Sequence, residues 1–337
     1  MTRSRFGIAL CWIASFGVAV TFASVATNAQ AQNPAPTKVR FGILTTASQA
    51  AFTVGVQAGI FRKHGFDVDV VSLATGAQAN QALAADQVDW GGGGIESTVV
   101  AWATGLPFTA YAMYAKGGDS YGILVRKESK IASAADLKGK TVAVPQGTAP
   151  AQGLSQVILK AGLPADAVKR VNATYGNMGQ MLVQGSVDAM VGLEPFLTLT
   201  EDTMEGKASM LMRLGTYVQG GGFFLITDKW AKANPTRVRD AVLAVWESQQ
   251  WLRQHTAEAT AFEATYLKVD PKYITAAFKW LSYDPLVDDF TRQSIKSTSE
   301  YLAAEKLIPK TVDIDQNLAA LDKVTAELKA SAAGVLK

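Results

Sequence analysis

The sequence predicts an α/β protein of two similar lobes with a helical C-terminal third, and three observations predict it. From residue 38 to about 227, short β-like runs alternate with stretches of helical periodicity, the pattern of a mostly parallel sheet covered by helices. A helix followed by Val-Asp and a strand running into glycine occurs twice, over 81–93 and 180–192, which describes two α/β passes with a ligand cleft between them. After Lys229 the apolar spacing becomes mainly helical.

Taken in order, residues 38–44 read as a strand, and Phe52, Val56 and Ile60 recur at four-residue spacing on a helix that stops near His64-Gly65, where glycine supplies a left-handed cap. Phe66-Asp67-Val68-Asp69-Val70 alternates as a strand with one wet face. Residues 78–85 read as a helix, 88–90 as a strand, 96–104 as a helix closed by Gly105, and 108–114 as a strand. A strand over 141–144, a helix over 149–161 followed by Gly162, and a strand over 189–193 continue the alternation. Val238, Val242, Val245 and Leu252 mark a helix over 235–254, and 271–281, 289–307 and 315–329 also read as helices.

The chain has 337 residues, 48% hydrophobic and 18% charged, a globular composition. Its 32 basic and 29 acidic residues give a net charge of +3; with Arg3 and Arg5 in a leader, the remainder is close to neutral and offers no footprint for nucleic acid. Cys11, the only cysteine, lies in the same leader, so the mature chain is expected to have no disulfide, thiol nucleophile or cysteine metal site. His64 and His255 leave little for zinc or acid–base work; the first reads as a group at a helix C-terminus, the second as a solvated residue ending the long helix. No Gly-x-x-x-x-Gly-Lys-Ser/Thr run is present. No catalytic residue, metal or cofactor is expected.

Between Arg5 and Lys38 no residue is charged. A basic start, an apolar run over 6–26 and Ala29-Gln30-Ala31 as a small-x-small site read as a secretory signal peptide over 1–31, with the mature chain starting near Gln32. About 20 such residues would also suffice for an anchor helix, but Gly7, Ser15, Gly17, Thr21 and Ser24 dilute the run and a fitting cleavage site follows it. A soluble exported protein is expected.

Several motifs then recur in a family-like order: 55–66 (Gly-Val-Gln-Ala-Gly-Ile-Phe-Arg-Lys-His-Gly-Phe), 84–93, 135–144 (Ala-Asp-Leu-Lys-Gly-Lys-Thr-Val-Ala-Val), Gly185-Ser186-Val187-Asp188-Ala189 and Glu194-Pro195-Phe196. In order and spacing they resemble the nitrate/sulfonate/taurine group of ABC-transporter periplasmic substrate-binding proteins, which includes thiamine-pyrimidine-precursor binders, over residues 38 to about 307. The resemblance implies a type II periplasmic binding fold, with lobe one over 38–125 plus 223–337, lobe two over 126–222, and hinge strands at 123–125 and 223–226. It also implies a periplasmic monomer that closes on a small-molecule ligand and delivers it to a membrane permease driven by an ATPase. A pyrimidine-precursor synthase shares the fold but relies on histidine and cysteine chemistry that this chain lacks; an exported sensory partner of a membrane receptor would have the same clamp.

Candidate ligand contacts sit where strands give way to helices. Thr45, Thr46 and Ser48 follow the first strand, and their hydroxyls either cap the next helix or face a cleft. Gly147-Thr148-Ala149-Pro150 opens a helix whose free N–H groups can bind an oxyanion, with Gln146 adjacent. The run 91–94 lets backbone approach a ligand at Gly94; beyond it Glu96 either serves the helix dipole or selects an amine or ring N–H, with Ser97 and Thr98 as hydroxyl contacts or caps. Asn177 reads as a cap or a contact, and Glu194 as a contact or a brace for the hinge. Tyr114, Tyr121 and Tyr217 are candidates for a flat wall, and Trp90 reads as a buried strand end.

Overall fold

The computed structural model describes residues 35–331, so the leader predicted over 1–31 lies outside the described residues. Strand β1 (Thr37–Leu44) is followed by α1 (Ala50–Gln57) and α2 (Ile60–Lys63), the single predicted helix being split where Gly59 adopts a left-handed φ of 72°. Next come β2 (Phe66–Leu73) and α3 (Gly76–Ala84), which starts early because the Thr75 hydroxyl accepts the Gln78 N–H as an N-cap. β3 (Trp90–Gly94), α4 (Ile95–Thr104) and β4 (Phe108–Lys116) complete the first pass.

The glycines at 91–94 are not the loop the sequence suggested. They form the body of β3, paired with β1 on one side and with residues 222–226 on the other. Side chains fill the space a Cβ would need: Leu83 lies 2.9 Å from that position at Gly91 and Leu225 2.9 Å at Gly93. Only Gly94, at the strand end, remains partly open.

The second pass comprises β5 (Tyr121–Arg126), β6 (Thr141–Ala143), α5 (Ala149–Lys160), β7 (Lys169–Val171), α6 (Tyr175–Gln184), β8 (Ala189–Leu193), α7 (Phe196–Thr203) and β9 (Ala208–Arg213). β10 (Gly221–Thr227) then returns to the first sheet. The two five-stranded sheets have matching orders, β2-β1-β3-β10-β4 and β7-β6-β8-β5-β9. In each, the first three strands are parallel and the fourth runs antiparallel to both neighbours, so the sheets are mixed, with four of five strands pointing one way.

That order moves the lobe boundary expected at Val125. β5 pairs with β8 and β9 from its first residues, and 223–226 pair with β3 and β4, so neither hinge segment read from the sequence lies between sheets. The chain crosses at 117–120 and again at 214–220. Gly118 allows the crossings to pass side by side, since a Cβ there would lie 2.8 Å from the Gly215 Cα and strike the Val218 carbonyl.

Helices α8 (Asp228–Ala233), α9 (Arg237–Gln254), α10 (Thr256–Leu267), α11 (Pro271–Phe278), α12 (Asp289–Ala304) and α13 (Ile314–Ser331) make up the remainder. α9 packs on α1, α12 on α4 and α13 on β4, which places this third of the chain with the first sheet. α12 stops short of the predicted end because the chain turns at Lys306, which takes a positive φ. Phe41, from β1, lies 4.8 Å from Phe52, 5.7 Å from Trp90 and 5.5 Å from Phe224 between ring centroids, the aromatic centre of the first core.

Candidate ligand-binding site

The C-terminal end of β3 meets the crossing strand β10 with Gly222 opposite Gly94, so bare backbone lies at the sheet edge where the two halves face each other. Glu96, in the first turn of α4, folds back over it: its Oε2 is 3.6 Å from where a Gly94 Cβ would be. Tyr114 from β4 places its hydroxyl against Gly222, and Tyr121 from β5 lays its ring against Gly220 and accepts the Gly221 N–H at 3.4 Å. Tyr175, the first residue of α6, brings its hydroxyl to Thr148 at the start of α5. Glycines at 220–222 are what permit this approach, because a side chain at 220 or 222 would occupy the space of a tyrosine.

Charge in this cluster is unusual. Glu96 is 6% exposed, and burial pushes its carboxyl up to about 7, against the pull of its own N–H and of the Ala149 N–H at the head of α5. Burial also pushes Tyr114 up to about 12, although Gln49 and Ser48 lie beside its hydroxyl, and raises Tyr121 and Tyr175. The Glu96 carboxylate adds to the rise in all three phenols, which places the four groups in one electrostatic neighbourhood. Among the described residues no lysine, arginine or histidine pairs with Glu96.

Of the residues singled out in the sequence, Glu96, Gly94, Ser48, Thr148, Tyr114 and Tyr121 gather here. Thr46 is buried and its hydroxyl bonds that of Ser48 at 3.0 Å. Thr148 occupies the N-cap of α5 but donates to the Pro145 carbonyl at 2.7 Å, leaving the helix without a side-chain cap. Ser97 donates to the Gly94 carbonyl and so fixes the turn. Thr45 is half-buried, whereas Gln146 and Asn177 are exposed; the Gln146 N–H is held by Asn172, and Asn177 lies inside α6, not at its cap. Glu194 is 1% exposed and engaged with Arg213 at 2.7 Å and the Thr198 N–H at 3.1 Å. Arg213 also donates to the Asp119 carbonyl, so this pair braces the first crossing. Tyr217 packs in the second sheet's core under Lys160, away from the cluster.

Tyr175, Gln49 and Arg213 escaped the sequence reading, because nothing in their local pattern distinguishes them. The triple glycine at 220–222 was the one available signal. Contacts also join the halves around the cleft: Thr298 donates to Gln152 at 2.9 Å, Lys272 pairs with Asp202 at 2.7 Å, and Arg213 lies 4.7 Å over the Trp280 ring.

A model of the family described as "NMT1/THI5 like" matches residues 46–259, well over half the chain, and the protein belongs to that family. A putative aliphatic sulfonates-binding protein of Bacillus subtilis (strain 168) is 26% identical over 258 residues, 75% of this chain and 76% of that one. The crystal structure of the periplasmic aliphatic sulphonate binding protein SsuA from Escherichia coli superposes with a TM-score of 0.73 at 21% identity, covering 84% of this chain and 97% of that one. The desulfurization enzyme DSZB also shares the fold, with a TM-score of 0.66 at 18% identity over 86% and 99% of the two chains. The fold is thus the two-lobed periplasmic binding fold. Among the described residues no helix is long and apolar enough to cross a membrane.

Proposed function

We propose that this chain is the exported solute-binding component of an ABC importer, a clamp that captures a small organic ligand between its two sheets and presents it to a membrane permease with its ATPase. The observation that carries this is the meeting of Glu96 and Tyr114 from the first half with Tyr121, Thr148 and Tyr175 from the second, beside two chain crossings on which the halves can swing. The relatives named for aliphatic sulfonates support a ligand of that size, and an aminosulfonate of the taurine type suits both that chemistry and Glu96.

A binding role is favoured over catalysis by where the histidines lie. His64 is held by Glu247 at 2.7 Å beside α2, and His255 stacks on Trp251 with ring centroids 4.4 Å apart. Neither is near the glycine edge, and no nucleophile–base pair stands in the cluster.

Thermal shift and small-angle scattering test the reading together. A ligand at a hundred times its Kd adds about 2.7 kcal/mol to stability, and the protein should compact as the lobes close. A panel of sulfonates, amines, aminosulfonates, carboxylates and pyrimidines that produced neither change would refute it.

A further inference from the structure

We propose that the ligand carries a positively charged nitrogen, an organic ammonium or a protonated ring amine, seated against the Glu96 carboxylate with the hydroxyls of Tyr114, Tyr121 and Tyr175 around it. The inference rests on the clamp reading above and deepens it by fixing the charge of the ligand.

Glu96, Glu194 and Glu263 are the buried glutamates among the described residues. A buried carboxylate must be paired, or else give up its charge. Glu194 meets the first condition through Arg213. Glu263 meets the second: it is walled into the first core, its one side-chain partner is the Thr53 hydroxyl, and no cleft reaches it. Glu96 stands between the two: it has no cation of its own among the described residues, its own N–H and the Ala149 N–H at the head of α5 support its charge, and burial lifts its carboxyl only to about 7, at the place where the two halves meet.

The surroundings favour a cation there. Three phenol oxygens offer acceptor lone pairs beside the carboxylate, and Gly94 leaves partly open backbone next to it, with the Glu96 Oε2 3.6 Å and the Gly221 carbonyl 3.8 Å from where a Cβ would be. The position of Glu96 in the first turn of α4 stabilises a negative charge, but by only about 0.3–1 kcal/mol, against several for desolvation of a carboxylate. A bare sulfonate placed here would face that carboxylate with no basic side chain beside it.

Protonation gives the inference a second handle. The titratable groups facing Glu96 are Tyr114 from β4, Tyr121 from β5 and Tyr175 from α6, all raised and neutral near pH 7, so Glu96 alone titrates there. A cation binds the ionised form, so its affinity rises with pH through about 7 and binding releases a proton. An anion has the opposite dependence.

Calorimetry and thermal shift on the full mature chain with three probes of similar length decide it: n-butylammonium, 3-aminopropanesulfonate and n-butanesulfonate. The expected result is binding of the two amines, tighter at pH 8 than at pH 6, and a loss of roughly 10- to 100-fold in Glu96→Gln, the range for a charged hydrogen bond. Binding of butanesulfonate alone, tighter at pH 6, would overturn the charge assignment and leave the clamp standing. Absence of any shift or compaction with all three would overturn the charge assignment, while the wider panel above decides the clamp separately. Should Glu96→Gln fail to fold, the opposed pH dependences of the wild-type chain still separate the two outcomes.

Discussion

Glu263 provides a direct measure of how strongly the first core resists a charge. It is fully buried on α10, and burial pushes its carboxyl up to about 8 from an ordinary 4.5, with only the Thr53 hydroxyl pulling it back. The hydrogen bonds agree with a neutral group. Thr53 has one hydroxyl proton to share between the Ala50 carbonyl at 3.0 Å and one Glu263 oxygen, and the other Glu263 oxygen has no hydrogen-bond partner, poor support for a buried charge. The folded pKa lies above the unfolded one, so this group costs nothing below about pH 4.5 and costs progressively more as pH rises, because the unfolded chain ionises first. At pH 7 the difference amounts to about 3 kcal/mol. Glu263→Gln removes it and keeps a carbonyl oxygen that can accept from Thr53. The variant should therefore melt about 5 °C above wild type at pH 7, taking the entropy of unfolding for a chain of this length, and within about 1 °C of it at pH 4.5 to 5. Melting curves by circular dichroism over pH 5 to 8 give the comparison. If wild type and variant descend in parallel across that window, Glu263 is not neutral in the fold and the reasoning fails.

Other expectations follow from single contacts. Arg213→Met strands the buried Glu194 carboxylate and should cost roughly 3 kcal/mol, most of it recovered in the double variant with Glu194→Gln; chemical denaturation of the four proteins checks this. Gly222→Ala puts a methyl group against the Tyr114 hydroxyl and the Gly93 carbonyl, so it should abolish ligand-induced thermal shift while the Arg213–Glu194 brace in the other half is untouched. Intact-mass measurement of native exported material should give an N-terminus at or near Gln32, and a chain retaining Met1 or Thr2 would refute the signal peptide.

Elements that bury one face were legible in the sequence, since their periods of 2 and 3.6 are local properties: β1, β2, α4, α5 and α9 all fall close to where apolar spacing placed them. β3 was not, because four glycines carry no alternation and glycine weakens an isolated strand. It is a strand because β1 and β10 pair with it from both sides and because Leu83, Gln49 and Leu225 already fill its Cβ positions. The site divides the same way. Glu96 and Thr148 could be picked out because they mark helix starts, a sequence-local signal. Tyr175 joins them only through the approach of one sheet to the other, and Gln49 only through its packing on Gly92 and beside Tyr114, and no spacing along the chain records either.

The matching strand orders make the asymmetry of charge a property of the architecture. β3 and β8 hold the third place in their sheets, and each is followed closely by a glutamate, Glu96 and Glu194. β4 and β9 hold the fifth place, run in the same direction as the third strands, and each ends on a cation, Lys116 and Arg213. In the second sheet these ends join, Arg213 to Glu194 at 2.7 Å. In the first they do not: Lys116 is drawn to Asp288 at 2.9 Å and Asp284 at 3.5 Å, carboxylates supplied by the helical third that only this sheet carries. Burial works to raise Asp288, yet Thr291 and Lys116 hold it down at about 2, so the lysine has a fixed anionic partner throughout the neutral range. The C-terminal third thus holds the cation at the strand end that corresponds to Arg213. That leaves one half of the cleft with a neutralised glutamate that braces a crossing, and the other with a buried carboxylate that no basic side chain among the described residues pairs.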